Sequence, residues 1–238
     1  MTLSTLGYAF LGGLLPSFIW LYFLLKEDAG HPEPKRIIAL AFIAGMAAVP
    51  FALPLEQYVK VYFDNTLSFP VLTGWALIEE VLKYAMTAIF VLWRNAVDEA
   101  PDYVIYMITV ALGFAAAENM LFLVEPIVGG HFASGLFTEN VRFLGSTLLH
   151  VIASATLGFA FAFSANKRSV VRMIAAAGGL ILAIALHTAF NTLIISQGAS
   201  TTLTAFFLVW LLAVVFFAAF EVLKYFQYRN FPNSSSNV

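Results

Sequence analysis

The segment VLTGWALIEEVLKYAMTAIFVLW, residues 71–93, is long and apolar enough to cross a membrane, yet it carries Glu79, Glu80 and Lys83 near its middle. A transmembrane helix needs about 20 largely apolar residues. Burying a charge at the bilayer centre costs about 2.5 kcal/mol or more, so an ionisable group at that depth is a candidate functional residue. The segment therefore predicts a transmembrane helix that carries part of a functional site.

The composition of the whole chain indicates a polytopic membrane protein. Of its 238 residues, 61% are hydrophobic and 11% are charged, whereas soluble domains contain about 25% charged residues. The absence of cysteine excludes disulfides, thiolate metal ligands and a cysteine nucleophile. The net charge of −2 gives no indication of a nucleic-acid partner, and we expect none. The lipid bilayer is the expected surrounding of nearly the entire chain.

Length and hydrophobicity predict an all-α bundle of about seven transmembrane helices. The predicted spans are 6–25, 37–55, 71–93, 103–124, 141–163, 171–196 and 203–226. They form one transmembrane domain over residues 1–229, followed by a polar tail, 230–238, that we expect to be disordered. Pro50 and Pro54 should kink or end the second span. Residues 56–69 then lie at the interface or extend that span, and 125–140 form a glycine-rich loop.

Basic residues between the spans predict the orientation of the bundle. The side predicted to be cytoplasmic holds Lys26, Lys35, Arg36, Arg94, Lys167, Arg168, Arg172, Lys224 and Arg229. The opposite side holds Lys60 and Arg142. Because basic residues accumulate in cytoplasmic loops, we expect the N-terminus outside and the C-terminus in the cytoplasm.

Four predicted spans carry polar clusters at a similar depth. The clusters are Glu79-Glu80 with Lys83, Glu118-Asn119, His150, and His187 with Asn191. At a rise of 1.5 Å per residue, all four lie about 10–14 Å below the outer surface. Side chains that agree in depth on four separate helices predict one shared site in the outer half of the membrane.

The pattern Glu79-Glu80-x-x-Lys83 predicts one free carboxylate. Glu79 and Lys83 stand at i and i+4, the favourable order for an ion pair. That pair would leave Glu80 to project into the site, where a desolvated glutamate suits a general base. The alternative is a structural salt bridge, which would explain one glutamate and the lysine but not the second acid.

The remaining polar residues allow both functional and structural interpretations. Glu118 would bind a ligand, share a proton with Glu80 or orient a partner, or it forms an interhelical hydrogen bond. His150 would stabilise charge or relay protons, or it is a packing residue. Arg142 binds substrate, pairs with an acid or anchors at the headgroups.

His187 and Asn191 share one helical face because they are four residues apart. An amide beside an imidazole suits the binding of a developing oxyanion. Alternatively, Asn191 fixes the tautomer of His187.

Four ordered motifs over residues 70–195 resemble those of the PrsW-type intramembrane proteases, which are distantly related to CAAX prenyl endopeptidases and bacteriocin-processing proteins. The motifs are Ile78 to Lys83, Gly113 to Asn119, Arg142 through His150 to Gly158, and His187 to Asn191. The resemblance implies a membrane peptidase, and an anti-sigma factor is among the substrates of the family. The usual pattern has an aspartate where Asn191 stands.

These observations predict a seven-helix intramembrane peptidase of the cell membrane that cleaves a membrane-protein substrate by glutamate-activated water. Glu79, Glu80, Glu118, His150, His187 and Asn191 would be catalytic, and Lys83, Asn119 and Arg142 would bind substrate or support the site. We expect no metal, because no His-Glu-x-x-His spacing occurs. The alternative is zinc held by Glu80, Glu118, His150 and His187.

Two other classes of function use the same residues. A proton- or ion-coupled transporter would employ the buried acids and histidines as a relay. Transporters often contain internal repeats and interrupted helices, and neither is evident in the four key spans. A non-catalytic scaffold would bind a partner helix and would tolerate loss of the glutamates.

Overall fold

The computed structural model describes residues 3–64, 66–128, 132–195 and 199–230, and these ranges form helices without any strand. The helices are α1 (Leu3–Glu27), α2 (Lys35–Tyr62), α3 (Phe69–Phe90), α4 (Ala100–Val128), α5 (Phe132–Ser164), α6 (Ser169–Ile195) and α7 (Ala199–Asn230). The predicted all-helical bundle is thereby confirmed. The tail after Asn230 lies outside the described residues.

Six of these helices are long and apolar enough to cross a membrane. The remaining one, α3, has 22 residues and carries Glu79, Glu80 and Lys83, all of them buried inside the bundle. Its charges therefore face protein rather than lipid, which is where a membrane protein tolerates them.

Helix α4 is the centre of the bundle. It packs along α1, α2 and α5, and every residue from 104 to 116 is buried. Helix α3 packs against α2 and α6, while α6 packs against α5. This arrangement brings one end of α3, α4, α5 and α6 around a common space, which the functional side chains line.

A pair of glycines allows α2 and α4 to approach closely. A Cβ atom on Gly45 would overlap the carbonyl oxygen of Val110, and one on Gly113 would overlap the carbonyl oxygen of Phe42. Small residues at such crossings bring membrane helices into backbone contact. The crossing fixes the position of α4 and, through it, that of Glu118.

Gly113→Ala is expected to destabilise the bundle, because the new methyl group meets backbone that cannot move alone. Overpacking of this kind costs about 1–3 kcal/mol. We expect a lower midpoint of thermal unfolding in detergent. Gly178→Ala is the matched control, since a Cβ there meets nothing within 4 Å. Equal unfolding midpoints for the two variants would refute the close α2–α4 contact.

Some element boundaries differ from those predicted. Helix α2 does not end at its prolines but continues through Pro50 and Pro54 to Tyr62. Of the two predicted alternatives for the segment after residue 55, extension of the second span is therefore the one observed, as far as Tyr62. Neighbouring groups satisfy the backbone atoms that proline leaves unpaired in a membrane helix. The predicted loop 125–140 is helical up to Val128 and again from Phe132. Helix α3 ends at Phe90, three residues before the predicted limit.

Candidate active site

The polar side chains predicted to share one site are in contact with one another. Glu79, Glu80 and Lys83 from α3 meet His150 from α5 and His187 from α6. All five are at most 4% exposed. Buried charged groups are tolerated only when they are paired and hydrogen-bonded. These five side chains therefore depend on one another and form a single network.

Lys83 is the hub of the network. Its Nζ atom lies 2.8 Å from Glu80 Oε1, 3.4 Å from Glu79 Oε2 and 2.7 Å from His150 Nδ1. It also lies 4.4 Å from the centroid of the Phe114 ring, within the range of a cation–π interaction. Both glutamates reach the ammonium because they stand three and four residues before it on one helix.

Glu80 is enclosed by partners and does not project into the open part of the site. Its Oε1 atom accepts from Lys83 and also lies 2.8 Å from His187 Nδ1. A carboxylate at this distance holds the proton of His187 on Nδ1 and leaves the Nε2 lone pair available. Glu80, rather than Asn191, therefore fixes the tautomer of His187.

Glu79 is the glutamate of the pair that lines the cavity. Its Oε2 atom lies 3.7 Å from His187 Nε2 and 3.9 Å from His150 Nδ1. The predicted assignment, in which Glu79 pairs with Lys83 and releases Glu80, is thus wrong in its geometry. Both glutamates contact Lys83, and the rotation of about 100° between adjacent helical residues turns Glu79 towards the cavity.

His150 bridges Lys83 and Glu118. An ammonium group has donors only, so the Lys83 contact requires that His150 Nδ1 accept. The proton of His150 then lies on Nε2, which is 2.8 Å from Glu118 Oε2. The ring also stands edge-on to His187, with centroids 5.1 Å apart. Glu118 thus contacts His150, one of the two imidazoles of the site.

A cavity of about 290 Å³ leads from the end of the bundle to these groups. Its polar lining comes from α2 to α6 and consists of Glu56, Gln57, Lys60, Glu79, Glu118, Asn119, Ser146, His150, His187 and Asn191. Its apolar lining is Leu53, Trp75, Phe122, Phe190, Ile194 and Ile195. Water has both room and hydrogen-bonding partners there, as polar groups at membrane depth require.

The other predicted residues are Asn191, which was predicted to be catalytic, and the supporting residues Asn119 and Arg142. Asn119 donates a hydrogen bond of 3.0 Å to Thr147 Oγ1 and so ties α4 to α5. Asn191 lines the cavity one turn beyond His187. The side chain of Arg142 lies outside the described residues.

Helix α2 supplies a part of the site that was not predicted from the sequence. Glu56, Gln57 and Lys60 line the mouth of the cavity because α2 continues beyond Pro54. The spacing Glu56-x-x-x-Lys60 places both on one face of a continuing helix. That spacing, combined with an uninterrupted α2, would have identified them.

The donor set fits a divalent metal ion. One atom each of Glu79, His150 and His187 lies within 4.8 Å of the others, and all three residues are buried. Catalytic zinc sites use such a set of imidazole and carboxylate ligands and keep one position open. If both imidazoles are neutral, the carboxylates of Glu79, Glu80 and Glu118 carry three negative charges and Lys83 carries one positive charge. The remaining two negative charges would be compensated by one divalent ion.

The sequence-based alternative had four ligands, Glu80, Glu118, His150 and His187, whereas the structure groups three donor residues and Glu118 is not among them. Glu79 takes the place of Glu80, whose carboxylate orients His187 from behind. Carboxylate–histidine pairs of this kind support metal ligands in many sites. Lys83 contacts two of the three donor residues, so an ion would take His150 Nδ1 or Nε2 from its present partner.

Comparisons with known proteins agree with the geometry. The model of the PrsW family of intramembrane metalloproteases matches residues 33–220. Protease PrsW of Geobacillus kaustophilus (strain HTA426) is 29% identical over 162 residues, which cover 66% of this chain and 68% of the relative. Protease PrsW of Bacillus subtilis (strain 168) is 29% identical over 163 residues, covering 66% and 71%.

A longer match joins the chain to Protease PrsW of Shouchella clausii (strain KSM-K16), which is 22% identical over 211 residues and covers 86% and 93% of the two chains. No solved structure matches this chain. The family match spans α2 to α6 and most of α7, and so includes every helix that lines the cavity. The chain belongs to the PrsW family of intramembrane metalloproteases and is a multi-pass protease of the cell membrane.

Proposed function

We propose that this protease hydrolyses a peptide bond of a membrane-protein substrate inside the cavity, close to the outer leaflet. The observation that carries the proposal is the position of Glu79, His150 and His187, whose buried donor atoms meet at the wall of a cavity large enough for water and a short peptide segment. The buried acids of a transporter would form a relay across the membrane, whereas these groups gather at one end of the bundle.

Glu79, His150 and His187 would hold a divalent ion, for which zinc is the best match. When bound, such an ion supplies Lewis-acid polarisation of a peptide carbonyl and of water. This assignment replaces the metal-free site expected from the sequence. That expectation rested on the missing ligand spacing, whereas the fold brings donors from three distant positions together, and the family is described as one of metalloproteases.

Glu118 is the carboxylate best placed to move protons. It lines the cavity, its side chain is 22% exposed, and it contacts His150 Nε2 at 2.8 Å. In the proposed reaction Glu118 takes a proton from water as the water oxygen bonds to the carbonyl carbon. The same proton passes to the amide nitrogen when the carbon–nitrogen bond breaks, which yields an amine and a carboxylic acid that keeps the second proton of the water.

Asn191 would donate a hydrogen bond to the carbonyl oxygen as negative charge develops on it. Its amide lines the same cavity as Glu118 and stands one turn from His187. Loss of one such donor costs about 10²–10³-fold in rate in a well-studied protease. Asn119 and Ser146 lie on the same cavity wall and would contact the substrate backbone.

Glu80 and Lys83 are positioning residues in this proposal. Glu80 orients His187 through Nδ1, and Lys83 balances the charge of both glutamates. Neither has to touch the substrate. Because Glu80 and Lys83 are buried, they hold the rings of His187 and His150 and the carboxylate of Glu79 in fixed positions.

The proposed topology has seven crossings, with α3 among them, the N-terminus outside and the C-terminus in the cytoplasm. The basic residues between the helices support this orientation. The cavity then opens towards the outer surface, where α2, α4 and α6 end and α3 begins. A cut there would release the external part of a single-span protein. An anti-sigma factor with a single span would be a substrate of this kind.

Cysteine labelling tests the topology, since the chain contains no native cysteine. A cysteine placed at Ser134 is expected to react with an impermeant maleimide on intact cells. A cysteine placed at Ser169 is expected to react only after the membrane is opened. The reverse pattern would place the cavity on the cytoplasmic side and refute the outer-leaflet cut.

Cleavage by the purified protein tests the function. Proteoliposomes would contain the enzyme and a set of single-span proteins that carry different external segments and a tag at each end. The expected result is a cut product whose new termini map to the external end of the span. Wild-type protein that is folded and metal-loaded but cleaves no member of the set would contradict the proposed reaction.

A further inference from the structure

The mouth of the cavity contains a carboxylate that the proposed reaction does not use. Glu56 lies near the end of α2, half-buried, and lines the same cavity as Glu79 and Glu118. The cavity therefore carries an acidic group between solvent and the reacting centre.

The backbone at Glu56 is held in place by the neighbouring helix. Trp75 Nε1 on α3 donates a hydrogen bond of 2.9 Å to the carbonyl oxygen of Glu56. The side chain of Val59 packs where a Cβ on Gly74 would stand. These contacts fix the last turns of α2 against α3, so the carboxylate of Glu56 has a defined position at the mouth.

The carboxylate itself has no donor among the described residues. No hydrogen bond or ion pair engages its oxygens there, although Lys60 stands four residues later on the same helix. In the proposed site, Lys83 and a divalent ion compensate the charges of Glu79, Glu80 and Glu118. The charge of Glu56 is not compensated by either of these cations.

The walls around Glu56 are apolar. Leu53, Trp75 and Phe122 line the same cavity. A long basic side chain buries its methylene groups along apolar surface and keeps its charged head on a carboxylate. Glutamate, leucine and two aromatic rings together match an arginine or lysine side chain better than an acidic or a purely apolar one.

We propose that Glu56 forms a binding subsite for a basic residue of the substrate, located close to the bond that is cut. The substrate class is then a membrane-anchored peptide segment with arginine or lysine beside its cleavage site. This inference rests on the proposed peptidase function and adds a sequence preference to it. Lys60, one turn further along α2, lies at the same mouth and excludes a second basic residue by charge repulsion.

The test uses one cleaved single-span substrate and replaces each residue flanking the cut bond in turn by arginine, glutamine and glutamate. Wild-type enzyme in proteoliposomes is expected to prefer arginine to glutamine at one position by about 10- to 100-fold in kcat/KM, the range of a charge-assisted hydrogen bond. Glu56→Gln should abolish that preference by lowering the kcat/KM of the arginine substrate to the level of the glutamine substrate. Glu56→Lys should favour the glutamate substrate instead.

Glu221→Gln is the matched control, because Glu221 is exposed on α7 and pairs with Lys224 away from the cavity. It should keep the arginine preference of the wild type. An arginine preference that persists in Glu56→Gln would overturn the subsite, as would a wild-type enzyme that cleaves all three substrates equally. Absence of cleavage of every substrate by the wild type would instead refute the peptidase function on which the subsite rests.

Discussion

Glu79→Gln is expected to reduce kcat/KM by about 10³-fold or more, near the upper end of the range for a catalytic carboxylate. Glutamine keeps the shape of the side chain but removes the charge that faces His187 Nε2 and His150 Nδ1 at 3.7 and 3.9 Å. It also removes the anionic ligand from the donor set. The rate of cleavage in proteoliposomes measures the effect at equal amounts of inserted protein.

Glu80→Gln is the informative comparison for this prediction. Glu80 orients the His187 ring by accepting a hydrogen bond from its Nδ1 atom. Loss of such a supporting group costs about 10- to 100-fold in activity or metal affinity. Both variants lose one partner of Lys83, so a purely structural role would affect them alike. A larger loss for Glu80→Gln than for Glu79→Gln would show that the division of roles between the two glutamates is wrong. The thermal unfolding midpoint of each variant controls for loss of fold.

Withdrawal of the divalent ion is expected to have an effect of similar size. Three donors within 4.8 Å, two of them imidazoles, bind a transition metal only when the imidazoles are unprotonated. Incubation with a strong chelator should therefore stop cleavage, and addition of zinc should restore it. Because Lys83 compensates part of the negative charge, we expect the apo protein to stay folded, so restoration should be rapid.

The architecture of the bundle could be predicted from the sequence because it follows from hydrophobic length. Each predicted span corresponds to a helix, and composition alone excludes a soluble fold. The meeting of Glu118, His150 and His187 with the α3 acids also follows from one simple quantity, the depth of each residue along its helix. Depth requires no knowledge of how the helices pack.

Which of two adjacent helical residues points into the cavity could not be predicted from depth. Glu79 and Glu80 differ by about 100° around α3, and both can reach Lys83. Which of them lines the cavity depends on how α3 is rotated against α2 and α6. That rotation depends on packing details such as the Trp75 contact with Glu56, which no local pattern reveals.

The polar residues that α2 contributes to the cavity could not be predicted because two prolines precede them. A proline in a soluble helix interior costs about 3 kcal/mol, so an end near Pro54 is the natural expectation. Inside a bundle the neighbours compensate for the missing hydrogen bond, and the helix carries Glu56 and Lys60 to the mouth of the cavity. The metal-free site was preferred for a related reason, since Glu79, His150 and His187 are far apart in sequence and form no compact ligand motif.

Metal content measured together with activity tests the central claim most directly. Purified, inserted protein would be analysed for bound transition metals by elemental mass spectrometry, beside the Glu79→Gln variant and the Glu221→Gln control. We expect about one equivalent of zinc in the wild type and the control, and markedly less in Glu79→Gln, with cleavage proportional to occupancy. Wild-type protein that cleaves its substrate at full rate with no bound metal would contradict the assignment of Glu79, His150 and His187 as metal ligands.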